Sequence, residues 1–112
     1  MIQTVQKLWG YEEILVNNEK YCAKFLYLNP GFQSSFHYHR EKDETFLVLE
    51  GSCELSTPEE LLVLRKGQSY RLFPGASHSF SAADGKPCVI LEVSTPHKEE
   101  DVVRLSESRS LL

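Results

Sequence analysis

The chain consists of short segments in which apolar residues are continuous or alternate with polar ones, and each segment ends at residues typical of turns. Residues 45–50 are apolar on both faces and end at Gly51, whereas residues 34–40 alternate and place His37 and His39 on one face. Short segments of this kind predict β-strands. The predicted strands are residues 20–28, 34–40, 45–50, 52–56, 61–65, 69–73, 78–82 and 89–94.

The spacing of these segments predicts the fold class. A strand recurs about every 8 to 12 residues, with turns at 57–60 and 84–87 and no long helical pattern between them. This texture is typical of an all-β antiparallel sandwich or barrel, of which the jelly roll is one form. The tail, residues 98–112, is compatible with a short helix or an extended arm. No linker or repeat interrupts the pattern, so we expect one domain over residues 1–112.

Composition narrows the function classes. Hydrophobic residues make up 41% of the 112 residues, an ordinary share for a globular protein. The 12 Lys and Arg against 16 Asp and Glu leave a net charge of -4, which offers no basic surface for nucleic acid. The longest apolar runs, 46–49 and 61–64, are far shorter than the roughly 20 residues that span a bilayer, so we expect no membrane partner.

The cysteines and the N-terminus bear on the compartment. Cys22, Cys53 and Cys88 are too few and too scattered for a disulfide framework, and no two have metal-ligand spacing. We expect three small buried thiols. No apolar signal segment is visible at the N-terminus. A cytoplasmic, reducing location follows as an expectation.

Four residues form a candidate metal site. His37 and His39 lie two apart in a predicted strand, so their imidazoles project from the same face about 6.6 Å apart along the chain. Glu44 follows a polar stretch that can reverse the chain and return its carboxylate beside the pair. His78 arrives from a separate segment after Pro74 and its turn. Three imidazoles and one carboxylate can hold one divalent transition metal, namely Mn, Fe, Ni or Zn, and leave room for water or substrate.

The spacing of these residues resembles the two motifs of the cupin superfamily. The first motif is matched by Gly31, His37, His39, Glu44 and Gly51, and the second by Gly67, Gly75 and His78. Two positions depart from the pattern, because Pro74 stands one place late and Ala82 replaces an asparagine. Neither position is a ligand. The resemblance implies a double-stranded β-helix, or jelly-roll barrel, in which His37, His39, Glu44 and His78 hold the metal.

Two further segments resemble a subgroup of cupins. Residues 7–12, with Trp9, and the closing segments 90–93 and 100–105 are similar to the bacterial type II mannose-6-phosphate isomerases. The resemblance implies aldose–ketose isomerisation of a sugar or sugar phosphate at the metal. An Fe(II) dioxygenase and a non-catalytic module that binds a sugar or another small molecule remain alternatives. Trp9 is interpreted either as a hydrophobic anchor or as a substrate contact.

Glu92 is the candidate general base. It interrupts the apolar segment 89–93, and an acidic residue there needs a partner or a purpose. It could instead face outward and pair with a surface cation. Lys24, Arg40 and Arg71 are the candidate phosphate contacts, although the default interpretation of each is a solvated surface position. His97 has no partner in sequence and is expected at the surface.

Association is expected from the family resemblance. Small cupins commonly form homodimers by sheet extension, and the apolar terminal segments, residues 1–5 and 105–112, could serve as exchanged strands. The expected small-molecule partner is a sugar or another polyol.

Overall fold

A computed structural model describes residues 2–112, and Met1 of the predicted N-terminal exchange segment lies outside that range. The chain is almost entirely β-structure, which confirms the predicted fold class. The strands are β1 Gln3–Lys7, β2 Gly10–Asn17, β3 Cys22–Leu28, β4 Phe32–Gln33, β5 His37–His39, β6 Glu44–Glu50, β7 Ser52–Ser56, β8 Leu61–Arg65, β9 Ser69–Leu72, β10 Ser79–Ala82, β11 Cys88–Ser94, β12 Val102–Arg104 and β13 Arg109–Ser110.

Two antiparallel sheets form the barrel. The larger sheet has the strand order β1-β2-β3-β11-β6-β9, and the second has the order β13-β4-β10-β7-β8. A two-stranded ribbon, β12-β5, closes one end. The crossed strand order is that of a jelly roll, in which sequence neighbours are not always sheet neighbours.

Alternation of side chains builds the core. Along β3, β6 and β11 every second residue is buried, so one face of each strand packs inward. Phe46, Leu26 and Ile90 from this sheet meet Leu55 and Phe80 from the other. Cys22, Cys53 and Cys88 are buried and free, as expected from their scattered positions.

The N-terminal hairpin was not among the predicted strands. β1 pairs over its whole length with the first part of β2, from Gln3↔Ile14 to Lys7↔Gly10. Trp9, in the turn between them, is only 4% exposed and packs edge-on against Phe80 with ring centroids 5.1 Å apart. Trp9 therefore anchors the hairpin to the core.

The tail folds onto its own barrel. A single 3-10 turn, Glu99–Asp101, leads into β12, which pairs with β5, and β13 pairs with β4 through Arg109↔Gln33. The tail is thus a single 3-10 turn followed by two short paired strands. The described residues contain no helix long and apolar enough to cross a membrane.

Candidate metal centre

Backbone pairing brings the three histidines together. His37 and His39 are the two ends of β5, and His37 forms an isolated bridge with His78. His37 N donates to His78 O at 3.0 Å, and His78 N donates to His37 O at 2.8 Å. One ring nitrogen from each histidine lies within 4.8 Å of the others. Donor atoms this close can all reach one ion at the usual metal–nitrogen distance of about 2.0–2.1 Å.

Hydrogen bonds orient two of the imidazoles. Nδ1 of His37 lies 2.8 Å from Ser35 O, and Nδ1 of His78 lies 2.9 Å from Ala76 O. A carbonyl can only accept, so each Nδ1 carries the proton and each Nε2 keeps a free lone pair. A backbone carbonyl in this position is a common support for a metal-binding histidine.

Glu44 lies beside two of the histidines. Its Oε2 is 3.1 Å from His39 Nε2, and its Oε1 is 3.9 Å from His78 Nε2. Despite this proximity, Glu44 Oε2, His39 Nδ1 and His78 Nε2 are buried without a hydrogen-bond partner. Buried polar atoms are nearly always paired, so three orphaned atoms in one cluster fit a site that a cation would satisfy. The structure thus brings His37, His39, Glu44 and His78 together, and ligation by these residues stays a prediction.

The imidazoles are held neutral. Burial lowers the pKa of His39 to about 3, with the charge of Lys42 acting in the same direction. Burial and the charge of His37 lower the pKa of His78 to about 4, and burial also lowers the pKa of His37. Burial raises the pKa of Glu44, and the charge of Glu92 adds to this effect. Neutral imidazole is the form that binds a metal.

A cavity of about 280 Å³ opens from the histidine cluster. His37, His39 and Glu44 line it, and residues of β1, β2, β3, β11 and the tail contribute to its wall. Its charged lining comprises four basic side chains, Lys7, Lys24, Lys42 and Arg104, and four acidic ones, Glu12, Glu44, Glu92 and Glu99.

Glu92 faces inward and forms a buried ion pair. Its Oε2 accepts a hydrogen bond of 2.6 Å from Lys42 Nζ. Burial alone would raise the pKa of Glu92, but the charges of Lys42 and Lys24 outweigh it and lower the pKa. Burial would likewise lower the pKa of Lys42, and the charge of Glu92 raises it instead. Both groups are therefore ionised, and the alternative of an outward Glu92 on a surface cation is wrong.

The expectation of a surface position is wrong for His97. The residue is half-buried in the cavity wall, with Nδ1 3.2 Å from Lys42 Nζ and Nε2 3.1 Å from Glu99 Oε2. Asn17 holds its backbone in place, because the Asn17 side chain donates to His97 O and accepts from His97 N, both at 3.0 Å. Lys42 and Asn17 are distant from His97 in sequence, so no local pattern could reveal these two partners.

The expectation of a solvated position is also wrong for Lys24, whereas it holds for Arg40 and Arg71. Lys24 is 3% exposed and lies 3.5 Å from Glu12 Oε1. Its alternation with Cys22 and Leu26 on β3 was the available signal. Arg40 is exposed, and Arg71 is exposed and pairs with Asp43.

Two residues of the site were missed entirely by sequence reasoning. Lys42 was regarded only as part of a polar turn, yet it is 2% exposed and lies beside Glu92. Asp101 is 7% exposed, and its carboxylate accepts from Glu41 N at 2.8 Å and from Lys42 N at 3.1 Å. Asp101 therefore fixes the loop that carries Lys42 and leads to Glu44.

The fold is a jelly-roll β-barrel, and its three clustered histidines form a possible metal site. The cupin domain family matches residues 24–94, and the chain belongs to this family. Segments outside the match also line the cavity, including Lys7, His97 and Arg104.

Curated relatives are named as mannose-1-phosphate guanylyltransferases and xanthan biosynthesis proteins. The chain is 24% identical over 110 residues to a mannose-1-phosphate guanylyltransferase of Sinorhizobium fredii, covering 96% of this chain and 22% of the relative. It is 26% identical over 106 residues to the xanthan biosynthesis protein XanB of Xanthomonas campestris, covering 93% of this chain and 23% of the relative. The chain thus spans about a fifth of the length of the curated relatives it matches.

Solved structures share the fold at low identity. An oxalate decarboxylase of Bacillus subtilis superposes with a TM-score of 0.82 at 19% identity, over 93% of this chain and 30% of that chain. An RmlC-like cupin of Shewanella frigidimarina superposes with a TM-score of 0.75 at 19% identity, over 89% and 88% of the two chains.

Proposed function

We propose that this cupin is a metal-dependent aldose–ketose isomerase acting on a sugar or sugar phosphate. One observation carries the proposal: the buried Lys42–Glu92 ion pair lies in the wall of the same cavity as His37 and His39 of the histidine cluster. Burying two charges is costly unless their geometry is good. A protein that only binds a ligand does not require an ionised carboxylate in the cavity wall, whereas an isomerase uses one as its base.

The roles of the residues follow from their charges. Glu92 is ionised and lines the cavity, so it can take a proton from the carbon beside a substrate carbonyl and return it to the carbonyl carbon. Lys42 keeps that carboxylate charged and places a positive group where negative charge develops on oxygen. A divalent metal bound by His37, His39, His78 and Glu44 would supply Lewis-acid polarisation of the carbonyl.

The charge of the cavity favours an anionic substrate. Its four basic and four acidic side chains cancel, so a bound divalent cation would leave an excess of two positive charges. A phosphate group would balance that excess. The names of the curated relatives also refer to a mannose phosphate, although the chain spans only about a fifth of those proteins.

The ligand set does not distinguish among Mn, Fe, Ni and Zn, because mixed imidazole and carboxylate ligands suit all four. Elemental analysis of protein purified without an affinity tag identifies the ion. The metal-loaded protein should then interconvert mannose 6-phosphate and fructose 6-phosphate, or another pair in a panel of aldoses, ketoses and their phosphates.

The variant Glu92→Gln tests the base. It should abolish turnover and leave the metal content unchanged, and retained turnover would contradict the role of Glu92. Glu54→Gln serves as the control, with unchanged turnover, because Glu54 is half-buried on β7 and does not line the cavity. Oxygen uptake in place of isomerisation would instead support a dioxygenase. Ligand-induced thermal stabilisation without turnover would support a binding module.

We also propose that the chain forms a homodimer. Its support is the family resemblance, and the terminal strands β1 and β13, which pair within the chain, could make the same pairings in a second copy.

A further inference from the structure

Lys24 carries a buried positive charge whose hydrogen-bond donors are only weakly satisfied. The residue is 3% exposed and lines the cavity, and its ammonium group has three N–H donors. Within residues 2–112, Nζ has a single hydrogen-bond partner, Glu12 Oε1, at 3.5 Å. This distance exceeds the usual range of about 2.7–3.2 Å. Buried donors are nearly always paired, so those of Lys24 fit a polar group that enters the cavity.

Glu92 does not supply the missing partner. It lies opposite Lys24 in the register of β3 and β11, but it already accepts a hydrogen bond of 2.6 Å from Lys42. The charge of Lys24 helps to lower the pKa of Glu92. Within the described part of the chain, however, the donors of Lys24 make no hydrogen bond to Glu92. Neutralising the base therefore does not account for them.

Glu12 places an acceptor beside these donors. It lies on β2 and lines the cavity, and its side chain is 14% exposed. Its carboxylate makes one hydrogen bond within residues 2–112, through Oε1, so Oε2 is available to accept another. A hydroxyl group both donates and accepts. An ammonium group and a carboxylate side by side can therefore bind two adjacent hydroxyl groups of a polyol.

The strand register places apolar side chains against this pair. Ile14 lies opposite Lys24, and Leu26 lies opposite Glu12, in the pairing of β2 with β3. Both apolar side chains line the cavity. Polar and apolar groups thus alternate over two adjacent strands. The carbon chain of a sugar has the same composition, since its C–H groups lie between its hydroxyl groups.

A phosphate group suits this position less well than hydroxyl groups do. Glu12 lies 3.5 Å from Lys24 Nζ, and Glu92 lies opposite Lys24 on the neighbouring strand. Two carboxylates would repel a phosphate dianion at this depth, where water screens charges weakly. A hydroxyl group carries no charge and avoids the repulsion. The structure therefore favours hydroxyl groups at Lys24, in place of the phosphate contact that the sequence suggested.

The pair lies beyond the candidate base when viewed from the candidate metal centre. The adjacent strands β6, β11, β3 and β2 carry Glu44, Glu92, Lys24 and Glu12 in that order. Neighbouring strands are about 4.8 Å apart. A substrate with its carbonyl at the histidine cluster and a reacting carbon beside Glu92 would extend its next carbons towards Lys24.

We infer that Lys24 and Glu12 bind the hydroxyl groups on carbons 3 and 4 of an open-chain sugar. The inference rests on the proposed isomerase and adds part of its substrate recognition. Both residues lie outside the candidate ligand set, so their replacement should leave the metal content unchanged.

Calorimetry with unreactive sugar alcohols tests this subsite. At least one of mannitol and glucitol, with or without a 6-phosphate, should bind to the metal-loaded full chain. Removal of the hydroxyl at carbon 4 should weaken binding about 10–100-fold, the usual effect of losing a hydrogen bond to a charged group. Lys24→Met and Glu12→Gln should each weaken binding of the parent compound by a similar factor. In both variants the 4-deoxy compound should bind nearly as well as the parent compound, which a merely structural role would not produce.

Glu13→Gln is the matched control, because Glu13 follows Glu12 on β2 but does not line the cavity. Its affinity for the sugar alcohol should equal that of the wild type. Glu12→Gln preserves the size of the side chain, so it carries the test if circular dichroism shows that Lys24→Met fails to fold.

The outcomes separate the subsite from the isomerase. Turnover of a sugar, with sugar-alcohol affinity unchanged in both variants, would overturn the subsite and keep the isomerase. Binding that depends on Lys24 and Glu12, without turnover of any sugar, would keep the subsite and overturn the isomerase. A wild-type protein that binds none of the sugar alcohols would overturn the subsite, whatever its turnover.

Discussion

Lys42 Nζ lies 2.6 Å from Glu92 Oε2, and the two side chains are only 2% and 6% exposed. A buried ion pair of this kind is stable only while both charges are present. The loop before β6 brings Lys42 to the centre of β11, fifty residues away in sequence. The pair therefore connects the loop before β6 to β11, the strand that carries the candidate base Glu92.

The first prediction concerns the energy of this pair. Lys42→Met should lower the free energy of unfolding by about 3–5 kcal/mol, since it leaves Glu92 as an unpaired buried charge. Glu92→Gln should lower the free energy of unfolding by a similar amount, because it leaves Lys42 as the unpaired buried charge. The double variant should cost clearly less than the sum of the two, as urea unfolding of all four proteins will show. Additive losses would mean that the two charges do not interact.

Asp101 gives the second prediction. Asp101→Asn removes one of the two acceptors that hold the amides of Glu41 and Lys42. Metal affinity, measured by calorimetry, should fall about 10–100-fold, the usual effect of losing a group that supports a ligand. Asp43→Asn is the matched control in the same loop, because it breaks only the surface pair with Arg71 and should change affinity little. Equal losses in both variants would refute the positioning role of Asp101.

The third prediction separates ligands from neighbours. His78→Gln should lower metal affinity by at least about 10–100-fold, because a direct ligand should matter no less than its supporting groups. His97→Gln should keep the metal, since His97 contacts Lys42 and Glu99 and lies outside the clustered trio. Elemental analysis after dialysis against a mild chelator distinguishes the two. Metal loss in both variants would place His97 among the ligands.

The sequence predicts that the candidate ligands lie close together, because local strand geometry determines most of their spacing. His37 and His39 share a strand face whatever the rest of the chain does, and β5 bears this out. Turn residues and alternation likewise located most strands of both sheets. The β1–β2 hairpin escaped because its residues are mixed in polarity, and because β1 is an edge strand that is largely exposed.

Contacts between distant segments could not be predicted in this way. A polar loop such as 40–43 can direct Lys42 to either side, and its direction is fixed by contacts with distant residues such as Asp101 and Glu92. His97 owes its place to Asn17, eighty residues away. Such positions depend on tertiary packing, which neither periodicity nor spacing encodes.

The fourth prediction concerns pH. Chelator-treated protein should lose stability as pH falls from about 6.5 towards 4, because the unfolded chain then takes up protons that buried His39 and His78 refuse. Burial lowers their pKa to about 3 and about 4 respectively. Each group contributes up to about 1.4 kcal/mol per pH unit within its window.

Glu44 has the opposite effect on stability. Burial raises its pKa, so in the native state it stays protonated at pH values where a carboxyl group of the unfolded chain has lost its proton. The net slope of unfolding free energy with pH should still be positive between about pH 4.5 and 6.5, since two histidines outweigh one carboxyl group. Urea unfolding at several pH values measures it. His78→Gln should flatten the slope, and an unchanged slope would show that His78 is protonated alike in both states.

The fifth prediction concerns Gly51, at the turn between β6 and β7. Its φ is +72°, and a Cβ built there would lie 2.3 Å from Pro87 O. Gly51→Ala should therefore cost both the left-handed strain of about 1–2 kcal/mol and a backbone shift beside Cys88. Gly75 has a similar φ of +83° but open space around it, so Gly75→Ala should cost the strain alone. In thermal unfolding, Gly51→Ala should have a lower Tm than Gly75→Ala. The reverse order would mean that the turn accommodates the added Cβ without displacing the end of β11.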